Sequence, residues 1–252
     1  MEKKFRNFDI IVKDNYEDMS KVAADIIASQ VNKKPSSVLG LATGSTPLGT
    51  YKWLIKKHKD EGVDFSKVAV FNLDEYHPIK SNNNQSYYYF MQQNLFTHIN
   101  INDDNTFIPN GESDDTSREA SQYEELITAH GGIDLQFLGL GLNGHIGFNE
   151  PSKVFSKATN YAELTESTIK ANARFFELEK DVPKNAITMG IGTIMQSRNI
   201  LLVVSGDAKA EIIEKVIFGD IDPMIPGSIL QMHPFVTVVL DKAAAANIID
   251  KI

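Results

Sequence analysis

The sequence predicts an α/β fold: one doubly wound, mostly parallel sheet with helices on both faces, Rossmann-like, in a single domain. Three observations predict it. Short β-rich runs alternate with helical runs along all 252 residues. Several strand runs are continuously apolar rather than alternating, the pattern of strands buried on both faces. No Pro/Gly/Ser linker, low-complexity tract or internal repeat interrupts the chain, so residues 1–252 are expected to form one unit.

The elements follow in order. Asp9 to Val12 (DIIV) reads as a first strand and Glu17 to Gln30 as an amphipathic helix. Val38 to Ala42 is a second strand. It runs into a Gly/Ser/Thr turn and a helix over Leu48 to His58, with Pro47 suited to the first helical position, where its missing N–H costs nothing. Val68 to Leu73 is a third strand. Tyr87 to Phe96 and Arg118 to His130 read as helices, and Leu135 to Leu142 is an apolar run with glycines in its second half. Ala186 to Ile191, Ile200 to Ser205 and Val236 to Leu240 are further strands. Helices over Lys209 to Phe218 and Lys242 to Ile249 fill the gaps.

Composition narrows the function classes. A hydrophobic share of 42% with 9% aromatic residues suffices for a sizeable core. A net charge of -8 offers no broad basic field, so neither nucleic acid nor an anionic membrane is an expected partner. A small anionic substrate would be held by a few local cations and backbone donors. Cysteine is absent, which removes disulfides, thiolate metal sites and thiol nucleophiles. Met1 to Asn7 is charged with no apolar signal core, and no apolar run approaches the roughly 20 residues of a membrane helix. A soluble, cytoplasmic protein is expected.

Polar, glycine-rich clusters stand at the carboxyl ends of four strands: Thr43-Gly44-Ser45-Thr46, Asp74-Glu75-Tyr76, Asn143 to Glu150, and Gly206 to Lys209. Ligands of open α/β sheets bind beyond those ends, so the four clusters are expected to share one crevice. Thr43 to Thr46 between strand and helix makes an anion seat or, more blandly, an ordinary N-cap with Thr46 as the cap. Asp74 is a candidate general base, while Glu75 and Tyr76 could hold the loop or contact a ligand. His145 lies between glycines five residues before Glu150. An unperturbed imidazole, with pKa about 6.5, can take and return a proton near neutrality, and a carboxylate beside it stabilises the charged ring. No second histidine sits at ligand spacing, so no metal is expected. His58, His77, His98, His130 and His233 read as surface or packing residues. Arg174 and Lys209 are the cations best placed for a phosphate.

These segments together resemble the glucosamine-6-phosphate deaminase family. The likeness runs from about Leu39 to Lys209 through LATGSTPLGTY, FNLDEYHPI, SYYYF, QYEELI, GLGLNGHIGFNEP, NARFF and VSGDAKA. It implies ring opening and aldose–ketose isomerisation of glucosamine 6-phosphate coupled to deamination, giving fructose 6-phosphate and ammonia in amino-sugar catabolism, without cofactor or metal. By the same resemblance, Thr43, Gly44, Ser45 and Thr46 would bind the phosphate with Arg174 and Lys209. His145 would open the ring, oriented by Glu150 and Asn143, and Asp74 would move the C2 proton. A mobile lid is implied near 160–182.

The related 6-phosphogluconolactonases are the nearest alternative. They typically carry D-E-R where this chain has Asp74-Glu75-Tyr76, and lack the N-E-P found here at Asn149-Glu150-Pro151. A non-catalytic sugar-phosphate sensor would keep the phosphate loop and lose Asp74, His145 and Glu150, all of which are present. Two departures from the family pattern matter. Many members have Asp at the position of Asn143, so His145 would depend mainly on Glu150. Hexameric, allosteric members carry basic residues where this chain has Asn160 and Ala162, which implies a monomer without N-acetylglucosamine 6-phosphate activation.

Overall fold

The computed structural model describes residues 1–5, 7–176 and 178–252. Arg6 and Glu177 lie outside the described residues, and with them one position of the charged N-terminal stretch and one of the expected lid. In chain order the elements are β1 (Glu2–Phe5), β2 (Phe8–Lys13), α1 (Tyr16–Lys33), β3 (Val38–Leu41), α2 (Pro47–Glu61), β4 (Ala69–Asn72), β5 (Asp74–His77) and α3 (Tyr87–Asn94). Then come β6 (Thr106–Phe107), α4 (Thr116–Ala129), β7 (Leu135–Leu138), β8 (Asn160–Glu163), α5 (Glu166–Asn172), β9 (Asn185–Thr188), α6 (Ile191–Met195), β10 (Asn199–Val204), α7 (Ala210–Phe218) and β11 (Val236–Asp241).

Eight strands form the main sheet in the order β1-β2-β11-β10-β7-β3-β4-β6. Every pairing is parallel except the β1–β2 hairpin. Leu39, Leu41, Val70, Phe137, Leu201 and Val203 point to one face, against Ala23, Ile27 and Val31 of α1, Leu54 of α2 and Met91 of α3. Phe71, Leu138, Leu202 and Val238 point to the other, against Ile127 of α4, Ile194 of α6, and Ile213 and Val216 of α7. Burial on both faces is why these strands are apolar throughout. The single-domain doubly wound fold is therefore present as expected. Neighbours β3 and β7 hand the chain to opposite faces, β3 to α2 and β7 toward α6, which opens a crevice at their carboxyl ends. At the opposite ends Asp134 ties the layers together: it accepts the Val38 N–H at 2.8 Å and pairs with Lys34 at 2.7 Å and Arg198 at 3.1 Å.

The structure corrects three of the expected elements and adds β1, β6, β8, α5 and α6 to them. The run from Ala186 to Ile191 yields β9, but in a separate antiparallel sheet, β5-β9-β8, that stands above the carboxyl edge of the main one. Its partner β5 contains Asp74, Glu75 and Tyr76, which are strand residues rather than loop. Lys242 to Ile249 forms consecutive turns, not a helix. Its N–H groups alternate between third and fourth preceding carbonyls, as from Ala246 to Ala243 and from Ala245 to Asp241. The carboxylate of Asp241 also takes the Ala244 N–H at 2.8 Å, which caps the first turn without making the stretch that follows a regular helix. Finally, Tyr87 to Phe96 ends as a helix at Asn94, and Phe96–His98 forms a single 3₁₀ turn. The segment between β8 and β9 leaves and rejoins the small sheet at one point, where the Leu164 N–H donates to the Lys184 carbonyl at 2.8 Å. Among the described residues no helix is long and apolar enough to cross a membrane.

Candidate active site

The anion seat follows β3. Gly44, at φ +103°, turns the backbone through a region closed to most side chains, so that Ser45 and Thr46 lead directly into α2. The Tyr16 hydroxyl braces the turn: it lies 3.0 and 2.9 Å from the Ser45 and Thr46 carbonyls and accepts the Gly49 N–H at 2.8 Å. Thr46 is already helical and makes no side-chain capping bond, so the N-cap alternative does not hold. The Arg174 guanidinium donates to the Ser45 hydroxyl at 3.1 Å. Lys209, at the turn after β10, donates to the Leu140 carbonyl at 2.6 Å. Burial, and then the positive charge of Arg174, push its ammonium down to about 8. Two cations close enough to oppose each other beside a hydroxyl-lined turn form a site that an anion would relieve.

Asp74 opens β5 and is 6% exposed. Burial first, then the adjacent Glu75 carboxylate, raise its carboxyl to about 8. Glu75 is also raised by burial, to about 7, although three backbone donors work against that shift. Those donors are Tyr76 at 2.9 Å, Tyr87 at 2.8 Å and Tyr88 at 2.9 Å. Two of them are the first N–H groups of α3, where the helix dipole favours an anion. Glu75 therefore anchors α3 and holds negative charge next to Asp74, which keeps Asp74 basic. Tyr76 does not face an open cleft. Its hydroxyl accepts from Asn172 at 2.9 Å, and its ring packs on Tyr87 and Phe148 at 4.7 and 5.6 Å.

The loop after β7 carries the imidazole. A Cβ at Gly141 would lie 2.4 Å from the His145 ring, so only glycine lets the loop fold back on its own histidine. The fold-back is closed by the Gly141 N–H on the His145 carbonyl, 2.9 Å, and by the His145 N–H on Asn143 Oδ1, 3.2 Å. Glu150 Oε2 collects the donors: Asn143 Nδ2 at 2.6 Å, Thr165 Oγ1 at 3.2 Å, and the His145 ring, whose Nδ1 lies 3.3 Å away. Burial acts to raise the Glu150 carboxyl, but bonding to and charge on His145, with Thr168 and Asn143, outweigh it and hold the group at about 2. It is a fixed anion throughout the working pH range.

One loop brings Asp74 and His145 together. A Cβ built at Gly147 would lie 3.6 Å from Asp74 Oδ2, and the N–H of the next residue, Phe148, donates to the Thr188 hydroxyl at 3.0 Å, on the strand paired with Asp74. Asp74 and His145 thus flank the same short stretch of backbone, His145 two residues before Gly147. Above it, α5 and the turn that follows contact all three parts of the site: Thr165 and Thr168 reach the histidine pair, Asn172 reaches Tyr76, and Arg174 reaches Ser45. Every sequence-predicted site residue lies in this assembly. Thr165, Thr168, Asn172 and Tyr87 are additions. Tyr87, whose ring packs on Tyr76 at 4.7 Å, was visible only as part of SYYYF. Among the described residues no three His, Asp or Glu side chains gather as a metal site.

The arrangement can move protons at two points of a ligand whose anionic group sits on the 43–46 turn. The Asn143 contact gives a test. An Asn143→Asp substitution would place a second carboxylate at hydrogen-bond distance from Glu150, and such a pair shares one proton. Glu150 would then protonate far above its present value of about 2, so the acidic limb of the pH–activity profile should move to higher pH. A profile that superimposes on the wild type would show that Asn143 does not set the charge of this loop.

Comparison with known proteins gives consistent likenesses. The family described as "Glucosamine-6-phosphate isomerases/6-phosphogluconolactonase" matches residues 13–239. A glucosamine-6-phosphate deaminase of Clostridioides difficile (strain 630) is 54% identical over 239 residues, covering 95% of this chain and 96% of that protein. One from Thermoanaerobacter pseudethanolicus is 51% identical over 242 residues, 96% of each. A solved structure of a monomeric glucosamine-6-phosphate deaminase superimposes with a TM-score of 0.93 at 44% identity, covering 94% of this chain and 99% of that one. The 6-phosphogluconolactonase of Trypanosoma brucei, TM-score 0.73 at 20% identity, shares the fold.

Proposed function

We propose that this chain, which belongs to the glucosamine-6-phosphate isomerase/6-phosphogluconolactonase family, is a glucosamine-6-phosphate deaminase that converts glucosamine 6-phosphate to fructose 6-phosphate and ammonia. The observation that carries the reading is the placement of a basic carboxylate, Asp74, and a carboxylate-bound imidazole, His145, on one backbone stretch.

The chemistry follows from that placement. The phosphate occupies the 43–46 turn, facing Arg174 and Lys209. His145 takes the proton of the anomeric hydroxyl and returns one to the ring oxygen, which opens the pyranose. Glu150, ionised at all working pH values, holds the ring and offsets its transient charge. The Asp74 carboxylate removes the C2 proton to give an enolamine and delivers it to C1. Water then adds at C2 of the resulting imine and ammonia leaves. A carboxylate raised to about 8 is a stronger base than an exposed one, at the cost of being largely protonated at pH 7. The segment 160–182, which lies across the site through α5, is the lid that keeps water from the enolamine. The reaction calls for no metal or cofactor. A monomer is consistent with the monomeric relative of 44% identity, and amino-sugar catabolism with the names of the relatives.

The deciding experiment is a coupled assay for ammonia and fructose 6-phosphate. Saturable binding of glucosamine 6-phosphate without turnover, or isomerisation without ammonia, would refute the assignment. The same assay against pH carries a second prediction. Asp74 must lose its proton and Lys209 must keep its own, and both titrate near 8. The profile of kcat/KM should therefore be a narrow bell centred near that pH. Lys209→Gln should raise KM and remove the alkaline limb. An alkaline limb that persists in the variant would mean Lys209 does not hold the phosphate.

A further inference from the structure

The seven-residue helix α5 occupies a position that its packing alone does not explain. Its first turn offers two hydroxyls to the proton-carrying pair: Thr165 Oγ1 to Glu150 Oε2 at 3.2 Å, and Thr168 Oγ1 to His145 Nδ1 at 3.5 Å. The two hydroxyls are themselves 3.1 Å apart. Thr168 is buried, so its hydroxyl is committed to this neighbourhood rather than to solvent. The far end of the same short segment carries Arg174, which reaches across to Ser45 in the anion seat.

The Glu150 carboxylate sharpens the point. Among the described residues its hydrogen-bond donors fall on Oε2, while Oε1 is buried without a partner. A carboxylate held through one oxygen can pivot about that contact. Its orientation, and that of the ring bonded to it, then depends on how many donors fix Oε2. Asn143 belongs to the same loop as His145 and moves with it. Thr165 and Thr168 come from a different element, so only they report where α5 is.

We propose that Thr165 and Thr168 are positioning residues whose hydroxyls align the His145–Glu150 pair only while α5 is docked, so that capture of a phosphate by Arg174 at the other end of the segment aligns the proton carrier. The inference rests on the reading of His145 as the ring-opening group. Binding energy from a part of the substrate remote from the reacting carbons is thereby spent on orienting catalytic groups, and the phosphate contributes to rate as well as to affinity. The long hydroxyl contacts fit an element that tightens on binding. Charged groups near the ring belong to several elements: Glu150 on its own loop, Asp74 from β5 beside Gly147, and Lys209 against Leu140.

The competing account makes Thr165 an ordinary N-cap, since its Oγ1 also accepts the Thr168 N–H at 3.3 Å, and gives Thr168 no role beyond packing. Thr168→Val separates the two accounts, because it removes the hydroxyl and keeps the shape. We expect kcat to fall roughly ten-fold with KM changed less than about two-fold, and Thr168→Ser to restore most of the rate. Saturating inorganic phosphate should shift the His145 ring resonances in the wild-type NMR spectrum and leave them nearly unmoved in Thr168→Val. Should the valine variant fail to fold, Thr168→Ala serves the same comparison. An unchanged kcat, a loss confined to KM, or the same phosphate response in both proteins would overturn the proposal. Wild-type protein that releases no ammonia would refute the deaminase reading instead.

Discussion

Replacing Asp74 with Asn should abolish ammonia release and, at the same time, make the protein harder to unfold. The first effect follows from position: Asp74 Oδ2 lies beside Gly147, in the loop that carries His145, and a general base contributes about 10²–10⁴ in rate. A fall in kcat of roughly 10³-fold with KM little changed is expected. The second effect follows from linkage. Burial and the neighbouring Glu75 raise the folded-state value of Asp74 from 3.8 to about 8. A carboxyl so raised binds its proton more tightly folded than unfolded. Its contribution to stability is fully present below the unfolded value and is lost as pH rises through about 8. At pH 8–9 the native enzyme therefore carries a nearly bare buried charge that an amide would not. Thermal melting at that pH should give a higher Tm for Asp74→Asn than for wild type, and the gap should close toward pH 4. A lower Tm for the variant at pH 8–9 would contradict the burial of a charged base, whatever the activity.

The second large effect is expected from His145→Gln. Glutamine keeps hydrogen-bonding capacity and approximate reach but cannot shuttle a proton near neutrality. Ring opening should become limiting, with kcat down by roughly 10²–10³-fold. The pair with Glu150 provides the sharper control. On the proposed reading Glu150 acts only through the imidazole, so Glu150→Gln should cost about ten-fold by itself and nothing further in the His145→Gln background. Fully multiplicative losses would show that Glu150 meets the substrate directly. The loss of His145 also removes the main influence holding the Glu150 carboxyl near 2, so the variant should lose stability in acid sooner than wild type does.

Much of this was legible in the residues. The four polar clusters stood out because each interrupts an apolar strand pattern, and the parallel order β10-β7-β3-β4 sets their four strand ends side by side. What stayed hidden depends on long-range pairing. Asp74-Glu75-Tyr76-His77 carries no strand signal of its own; it is extended because Ala186 and Ile187, far along the chain, supply its ladder. Glu75 could not be told from a ligand-facing acid, since the helix it anchors begins 12 residues later. Thr165 and Thr168 carry no signal in the sequence beyond that of any helix start, and Thr165 is in fact the N-cap of α5. The tail from Lys242 misled through its four consecutive alanines, whose propensity is helical but whose backbone bonds split between third and fourth preceding carbonyls.

The single backbone bond between Leu164 and Lys184 has a further consequence. A stretch whose two ends meet at one point is an interchangeable cassette. It can lengthen, shorten or change composition without altering the register of any strand, because the ladder closes at that neck, while side chains such as Asn172, which donates to Tyr76, tie the stretch to the frame. Selection could therefore retune substrate scope by rewriting the residues between those two positions, while the ladder that holds Asp74 and the parallel sheet beneath it stayed as they are.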